Sequence, residues 1–198
     1  MDRKVGNVNL VRWLTLGGMF SAISTVLMYI SFSVPVMPSF IKMDLSDLPA
    51  LLAAYVLGPL GGAVVCLIKN LMNIVLTGTS TAGIGELSNF LLGCCLVVPA
   101  GFIFKKYRGV RAVLLGGLAG AAVMAVMSVV TNYFLVYPMY SKLMPMNIIL
   151  DMYKAINPKV NSLLDALLWF NMPFTFVKGA LCVAVCTLVY KPLARLVK

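Results

Sequence analysis

The chain has 198 residues, 61% of them hydrophobic and 11% charged, with a mean hydropathy of +0.98 and a formal net charge of +10. A charged fraction so far below the ~25% of an average soluble domain reads as a single helical membrane domain, residues 1–198, with no room for a sizeable soluble unit beside it. The cations sit mainly at the ends of apolar runs, where they orient a membrane protein, so the basic balance does not point to nucleic acid; the absence of histidine removes the commonest general base.

Arg3, Lys4 and Arg12 precede the first apolar run. No small-x-small cleavage signal follows, so this stretch reads as a cytoplasmic N-terminus feeding a retained helix, about residues 14–31. Gly18 and Ala22 form a small-x-x-x-small pair on it, a flat surface for close approach of another helix, either within the bundle or from a partner. Residues 32–47 break the pattern with Pro35 and Pro38 and mix Phe40 with Lys42, Asp44 and Asp47. They read as an ordered loop folded over something. Asp44 and Asp47 are weak candidates for a metal or paired-carboxylate site, because Asp47, ahead of Leu48-Pro49, suits a helix N-cap.

Residues 48–58 are apolar but span only about 16 Å as a helix, against the ~20 residues of a full crossing. Gly58-Pro59 marks a turn, and residues 60–77 form the next span. The basic cluster Lys105, Lys106, Arg108 and Arg111 belongs on the cytoplasmic side with the basic N-terminus. An even number of crossings must separate the two, so the short segment counts as a crossing. Its shortfall leaves space for a pocket open to the outside, roofed by the loop at residues 32–47. Lys69 shares a face with Asn73 in the span at residues 60–77; an ammonium there costs ~2.5–3.5 kcal/mol on insertion scales and needs a partner or water.

Residues 78–83 are then an outer loop. In the following span, residues 84–104, Glu86, Asn89 and Gly93 fall at i, i+3, i+7 and predict one wall of a cavity. Glu86, in the first turn, also suits the helix dipole. The next span, residues 112–137, packs through Gly116, Gly117, Gly120 and Ala121, carries Ser128 and Asn132 on one face, and is expected to stop at Pro138. Residues 146–156 predict a short amphipathic helix at the outer interface. The last span, residues 164–190, places Asn171, Thr175, Lys178 and Cys182 on one face, with Pro173 positioned to bend it. Lys191, Arg195 and Lys198 put the C-terminus inside, which makes six crossings with both ends cytoplasmic. The five cysteines all lie in apolar runs and read as reduced, buried side chains rather than zinc ligands.

The polar groups of the outer half, Glu86, Asn89, Asn132, Asn171 and Lys178, are mostly amides rather than a relay of acids, and no phosphate-binding loop motif is present. They fit a bundle that binds a neutral, partly apolar ligand with several hydrogen-bonding edges. Moving that ligand requires energy from another protein.

Seven runs carry a resemblance: PSFIKMDLSDLP from Pro38, GPLGG from Gly58, KNL from Lys69, TGTST from Thr77, GELSNF from Gly85, TNY from Thr131 and PFTFVKG from Pro173. Together they resemble the substrate-binding (S) components of energy-coupling factor (ECF) vitamin transporters, and within them the riboflavin-specific members, over nearly the whole chain. The resemblance implies an all-α integral membrane protein of six transmembrane helices, with a ligand pocket open to the outer face and capped by the loop between the first two. It implies a multi-pass protein of the bacterial plasma membrane that is not an enzyme and that carries riboflavin as transported substrate, with no cofactor. By the same resemblance, Asn132 and Lys178 hydrogen-bond the pyrimidine edge of the flavin, Phe40 covers the ring, and Thr79, Thr81, Gly83, Glu86 and Asn89 hold the ribityl chain. Gly18 and Ala22 match the docking face for a transmembrane coupling subunit, itself driven by two ATPase subunits; the family usually has alanine where Gly18 stands. Other readings are an S component for thiamine or a queuosine precursor, a small intramembrane enzyme using Glu86 or the Asp44/Asp47 pair, and a purely structural membrane partner.

Overall fold

The computed structural model describes residues 10–34, 37, 42–79, 82–143 and 145–196. Helix α1 (Leu10–Tyr29) leads into a short antiparallel ribbon, β1 (Phe32–Ser33) and β2 (Lys42–Met43), in which Phe32 faces Met43 and Ser33 faces Lys42. Then come α2 (Asp47–Val56), α3 (Pro59–Thr77), α4 (Ile84–Tyr107) and α5 (Val110–Thr131). A π-helical turn (Asn132–Val136) joins α5 to α6 (Tyr137–Leu143). After α7 (Met146–Lys154) and α8 (Leu163–Ala166), a second π-helical turn (Leu167–Asn171) opens into α9 (Met172–Leu196).

Among the described residues, five helical stretches, Leu10–Tyr29, Pro59–Thr77, Ile84–Tyr107, Val110–Lys142 and Leu163–Tyr190, are long and apolar enough to cross a membrane. Asp47–Val56 is apolar but shorter. It lies at the centre of the bundle: Asp47 and every residue from Pro49 to Tyr55 are buried, packed by α1, α3, α4 and α9. Being surrounded, α2 needs no polar face, which is why its sequence shows no amphipathic period.

Lipid supplies no hydrophobic drive between helices, so small residues must bring the backbones together. A Cβ on Gly62 would stand 2.7 Å from Ala54 Cβ and 2.9 Å from the Ala50 carbonyl oxygen, which sets α3 directly on α2. A Cβ on Gly120 would stand 2.2 Å from the Leu96 carbonyl oxygen, so α4 and α5 meet backbone to backbone. Tyr55 adds a long-range tie by donating its hydroxyl to the Val113 carbonyl at 2.9 Å.

Pro138 does not stop the helix. The chain passes through the first π-helical turn and continues to Leu143. A proline ring meets the carbonyl four residues back and offers that carbonyl no N–H; for Pro138 this is Phe134, in the middle of the widened turn. The wider turn relieves the conflict without ending the helix. The same arrangement precedes Pro173, whose counterpart Trp169 lies within Leu167–Asn171.

The amphipathic segment near residue 150 is helix α7, which buries Ile149 and Tyr153 in a second apolar cluster with Val136, Tyr137, Leu167 and Phe170. This cluster closes the end of the bundle where both π-helical turns lie.

Candidate functional site

A cavity of about 650 Å³ opens between the end of α1, the segment from β2 to α2, the end of α3, the start of α4, the first π-helical turn and one face of α9. Glu86, Asn89, Asn132 and Lys178 all line it. Phe40 and Thr81 lie outside the described residues. Thr79 and Gly83 do not line the cavity; they shape its lip. Gly83 takes φ +84°, a backbone conformation that costs glycine little, and so turns the chain into α4. Its N–H donates to Thr79 Oγ1 at 2.7 Å, and the Thr79 hydroxyl donates to Glu86 Oε2 at 3.2 Å. Glu86 thus anchors the loop while facing the cavity. Gly93 departs from the expected wall. It is buried, and a Cβ there would meet Cys66 Sγ at 2.9 Å and Asp47 Oδ1 at 3.4 Å, so it packs α4 against α3 and the start of α2.

Below the cavity four charges meet. Asp47 is not an N-cap: Ser46 holds that position without a side-chain capping bond, and the Asp47 carboxylate pairs with the fully buried ammonium of Lys69 instead. Lys69 also donates to Ser46 Oγ at 2.7 Å. The Ser46 hydroxyl and N–H both donate to Asp44 Oδ1, and the Ser24 hydroxyl donates to the Ser46 carbonyl. Lys178 donates to Asp44 Oδ2 at 3.0 Å and stands 3.3 Å from Asp47 Oδ2. Two acids and two ammonium groups therefore cancel in a buried knot that ties α1, α2, α3 and α9 together. Isolated, each would be expensive at membrane depth; mutually paired and hydrogen-bonded, they are tolerated. Burial, the largest single influence, pushes the Asp44 carboxyl up, but the Lys178 and Lys69 ammonium groups and the Ser46 hydroxyl together hold it below its ordinary value of 3.8.

The amides of the cavity are also held. Asn132, first residue of its π-helical turn, donates Nδ2 to the Ser128 carbonyl at 2.7 Å. Asn171, last residue of the other, accepts from the Tyr153 hydroxyl on Oδ1 at 2.9 Å. Asn171 and Thr175 line the cavity with Lys178, as their shared helical face requires. Asn73, Thr77, Tyr137 and Tyr140 also line it. The signal for Asn73 was its i, i+4 relation to Lys69; no local pattern marks the tyrosines, since a helix expected to end at Pro138 places Tyr140 in a loop.

What this arrangement offers chemically is recognition. Its carboxylates are committed to ion pairs or to the loop, and hydrogen-bonding side chains alternate with apolar ones around the space.

A family model for the substrate-specific component of ECF transporters matches residues 12–190. The riboflavin transporter FmnP of Bacillus subtilis (strain 168) is 31% identical over 182 residues, covering 91% of this chain and 90% of that protein. The riboflavin transporter RibU of Staphylococcus aureus (strain TCH60) is 31% identical over 180 residues, covering 91% and 89%. The solved structure of the S component of a bacterial ECF transporter superposes with a TM-score of 0.74 at 30% identity, over 94% of this chain and 98% of that one.

Proposed function

The chain belongs to the substrate-specific components of ECF transporters, and from that premise we propose that it captures riboflavin at the membrane for uptake into the cell. The observation that carries the reading is the composition of the cavity: a mixed lining in which Met28, Leu92, Met124, Val136 and Phe174 stand among hydrogen-bonding side chains, Asn132, Asn171 and Lys178 from the π-helical turns and α9 and Glu86 and Asn89 from α4. A flavin needs both kinds of surface. Its ring system is flat and apolar with a uracil-like edge, and its ribityl chain carries hydroxyls. About 650 Å³ falls within the ~300–1,000 Å³ usual for small-molecule sites.

In this reading Asn132 and Lys178 meet the pyrimidine edge, and Glu86 and Asn89 meet the ribityl hydroxyls. Thr79 and Gly83 act through Glu86 by holding the lip. Both termini face the cytoplasm, α2 counts as the sixth crossing, and the cavity faces outward. The protein is multi-pass in the cell membrane, and like its family it transports rather than catalyses. Its sequence carries no phosphate-binding loop motif, and in this reading a transmembrane coupling subunit and two ATPase subunits supply the energy. Gly18 and Ala22 are exposed on α1, and a Cβ on Gly18 would meet nothing within 4 Å, which supports this face as the docking surface.

The test is complementation. In bacteria lacking both riboflavin synthesis and their own importer, this chain expressed with an ECF coupling module should restore growth on dilute riboflavin, and excess thiamine should not compete. Failure to grow despite membrane insertion and assembly of the complex would overturn the proposal.

A further inference from the structure

Tyr137, Tyr153 and Asn171 come from three different helical elements and form one buried hydrogen-bond chain. Tyr153, on α7, is fully buried and Tyr137 nearly so, which leaves little room for water to compete. The Tyr153 hydroxyl donates to Asn171 Oδ1 at 2.9 Å and also bonds the Tyr137 hydroxyl. A phenol has a single proton to give. Since Tyr153 gives its proton to Asn171, Tyr137 must donate to Tyr153, and the chain runs in one direction. It turns Asn171 Oδ1 away from the cavity and leaves Nδ2 as the donor facing the space that Asn171 lines.

Asn132 is held in the opposite sense. Its Nδ2 donates to the Ser128 carbonyl, so Oδ1 is its acceptor toward the cavity. Lys178 donates one N–H to Asp44 Oδ2 and pairs with Asp47 Oδ2 at 3.3 Å by charge without a hydrogen bond, which leaves an N–H for a ligand. The three residues thus offer two donors and one acceptor.

We propose that Tyr153 is a positioning residue that fixes Asn171 as a donor, so that Asn171 Nδ2, Asn132 Oδ1 and Lys178 Nζ together read an imide edge, two carbonyls flanking one N–H. This rests on the riboflavin reading and deepens it by naming a further specificity residue and the ligand edge it selects. The uracil-like edge of a flavin has this pattern. An aminopyrimidine edge places a donor where the site already offers one, and is rejected for that reason. The second π-helical turn sets Asn171 at the point where the chain from α7 reaches it, so the α7 segment acts as part of the binding site without touching ligand.

The experiment is fluorescence-quench titration of the purified full-length protein with riboflavin and with lumiflavin, which keeps the ring and imide edge but lacks the ribityl chain. Tyr153→Phe should weaken both ligands by the same factor, about tenfold for one lost positioning hydrogen bond. In an Asn171→Ala background, Tyr153→Phe should add nothing. Asn171→Asp still accepts from Tyr153 but presents an acceptor to a carbonyl, and should lose about a hundredfold. The proposal is overturned if Tyr153→Phe binds like wild type, if its effect adds fully to that of Asn171→Ala, or if it spares lumiflavin. Asn171→Asp binding as tightly as wild type overturns it equally, and decides the matter alone should Tyr153→Phe not fold. Wild-type protein that quenches neither ligand would instead remove the riboflavin reading itself.

Discussion

Lys178 has two duties that its position makes inseparable: it neutralises Asp44 and Asp47, and it offers a donor to the cavity. Asn132 carries no such charge and only faces the cavity, with Oδ1 as an acceptor. The two therefore predict different phenotypes. Asn132→Ala should weaken riboflavin binding about tenfold while leaving the melting temperature in detergent within a degree or two, because the Ser128 carbonyl keeps the backbone N–H of residue 132 when the side-chain amide is gone. Lys178→Ala should weaken binding and also destabilise the fold by about 3–5 kcal/mol, since it strands buried carboxylate charge. Equal melting temperatures for the two variants would contradict the shared knot.

The acid response of Asp44 follows from the same pair. Its folded value lies below 3.8, so its pairing stabilises the protein fully above about pH 4 and is lost as pH falls through the lower folded value. The melting-temperature gap between wild type and Asp44→Asn should stay constant from pH 8 to 5 and close only in stronger acid; a gap that closes between pH 7 and 5 would refute this. At this scale the sequence showed which polar groups were out of place in apolar runs, and Lys69 was seen to need a partner. It did not show the pairing, because Asp47 satisfies a local capping pattern that its tertiary partner overrides, and 22 residues separate it from Lys69.

The helices themselves were legible from apolar run length and from glycine and proline punctuation, with α3 beginning at Pro59 and ending at Thr77 as the turn signals require. One boundary, at Pro138, was not. Proline rules are local, and the π-helical turns that carry the helix past Pro138 and lead into Pro173 are favoured by packing against the apolar cluster at that end. The small residues of α5 read correctly as a contact surface, and the contact sorts them sharply. Gly120→Ala forces a methyl against the Leu96 carbonyl and must push α4 from α5; it should cost about 1–3 kcal/mol. Gly18→Ala meets nothing within the chain and should leave thermal stability unchanged. Detergent unfolding of both variants checks this, and a neutral Gly120→Ala would contradict the backbone contact.

At the scale of the whole molecule, the proposed reading divides the work between a cavity for the ligand, beside the loop that leads into a short central helix, and an exposed small-residue face on α1 for the partner. The division predicts a separation of functions. Gly18→Leu should leave riboflavin affinity of the isolated protein unchanged and sharply reduce uptake by the assembled complex, measured in proteoliposomes; unimpaired uptake would remove α1 from the docking surface. All of this depends on the ligand. The most direct measurement is the absorption spectrum of the wild-type protein purified from cells grown with riboflavin, followed by quench titration of the ligand-free form. The account predicts a yellow protein with flavin bands and quenching that saturates at one riboflavin per chain. A colourless preparation that leaves riboflavin fluorescence untouched would contradict it.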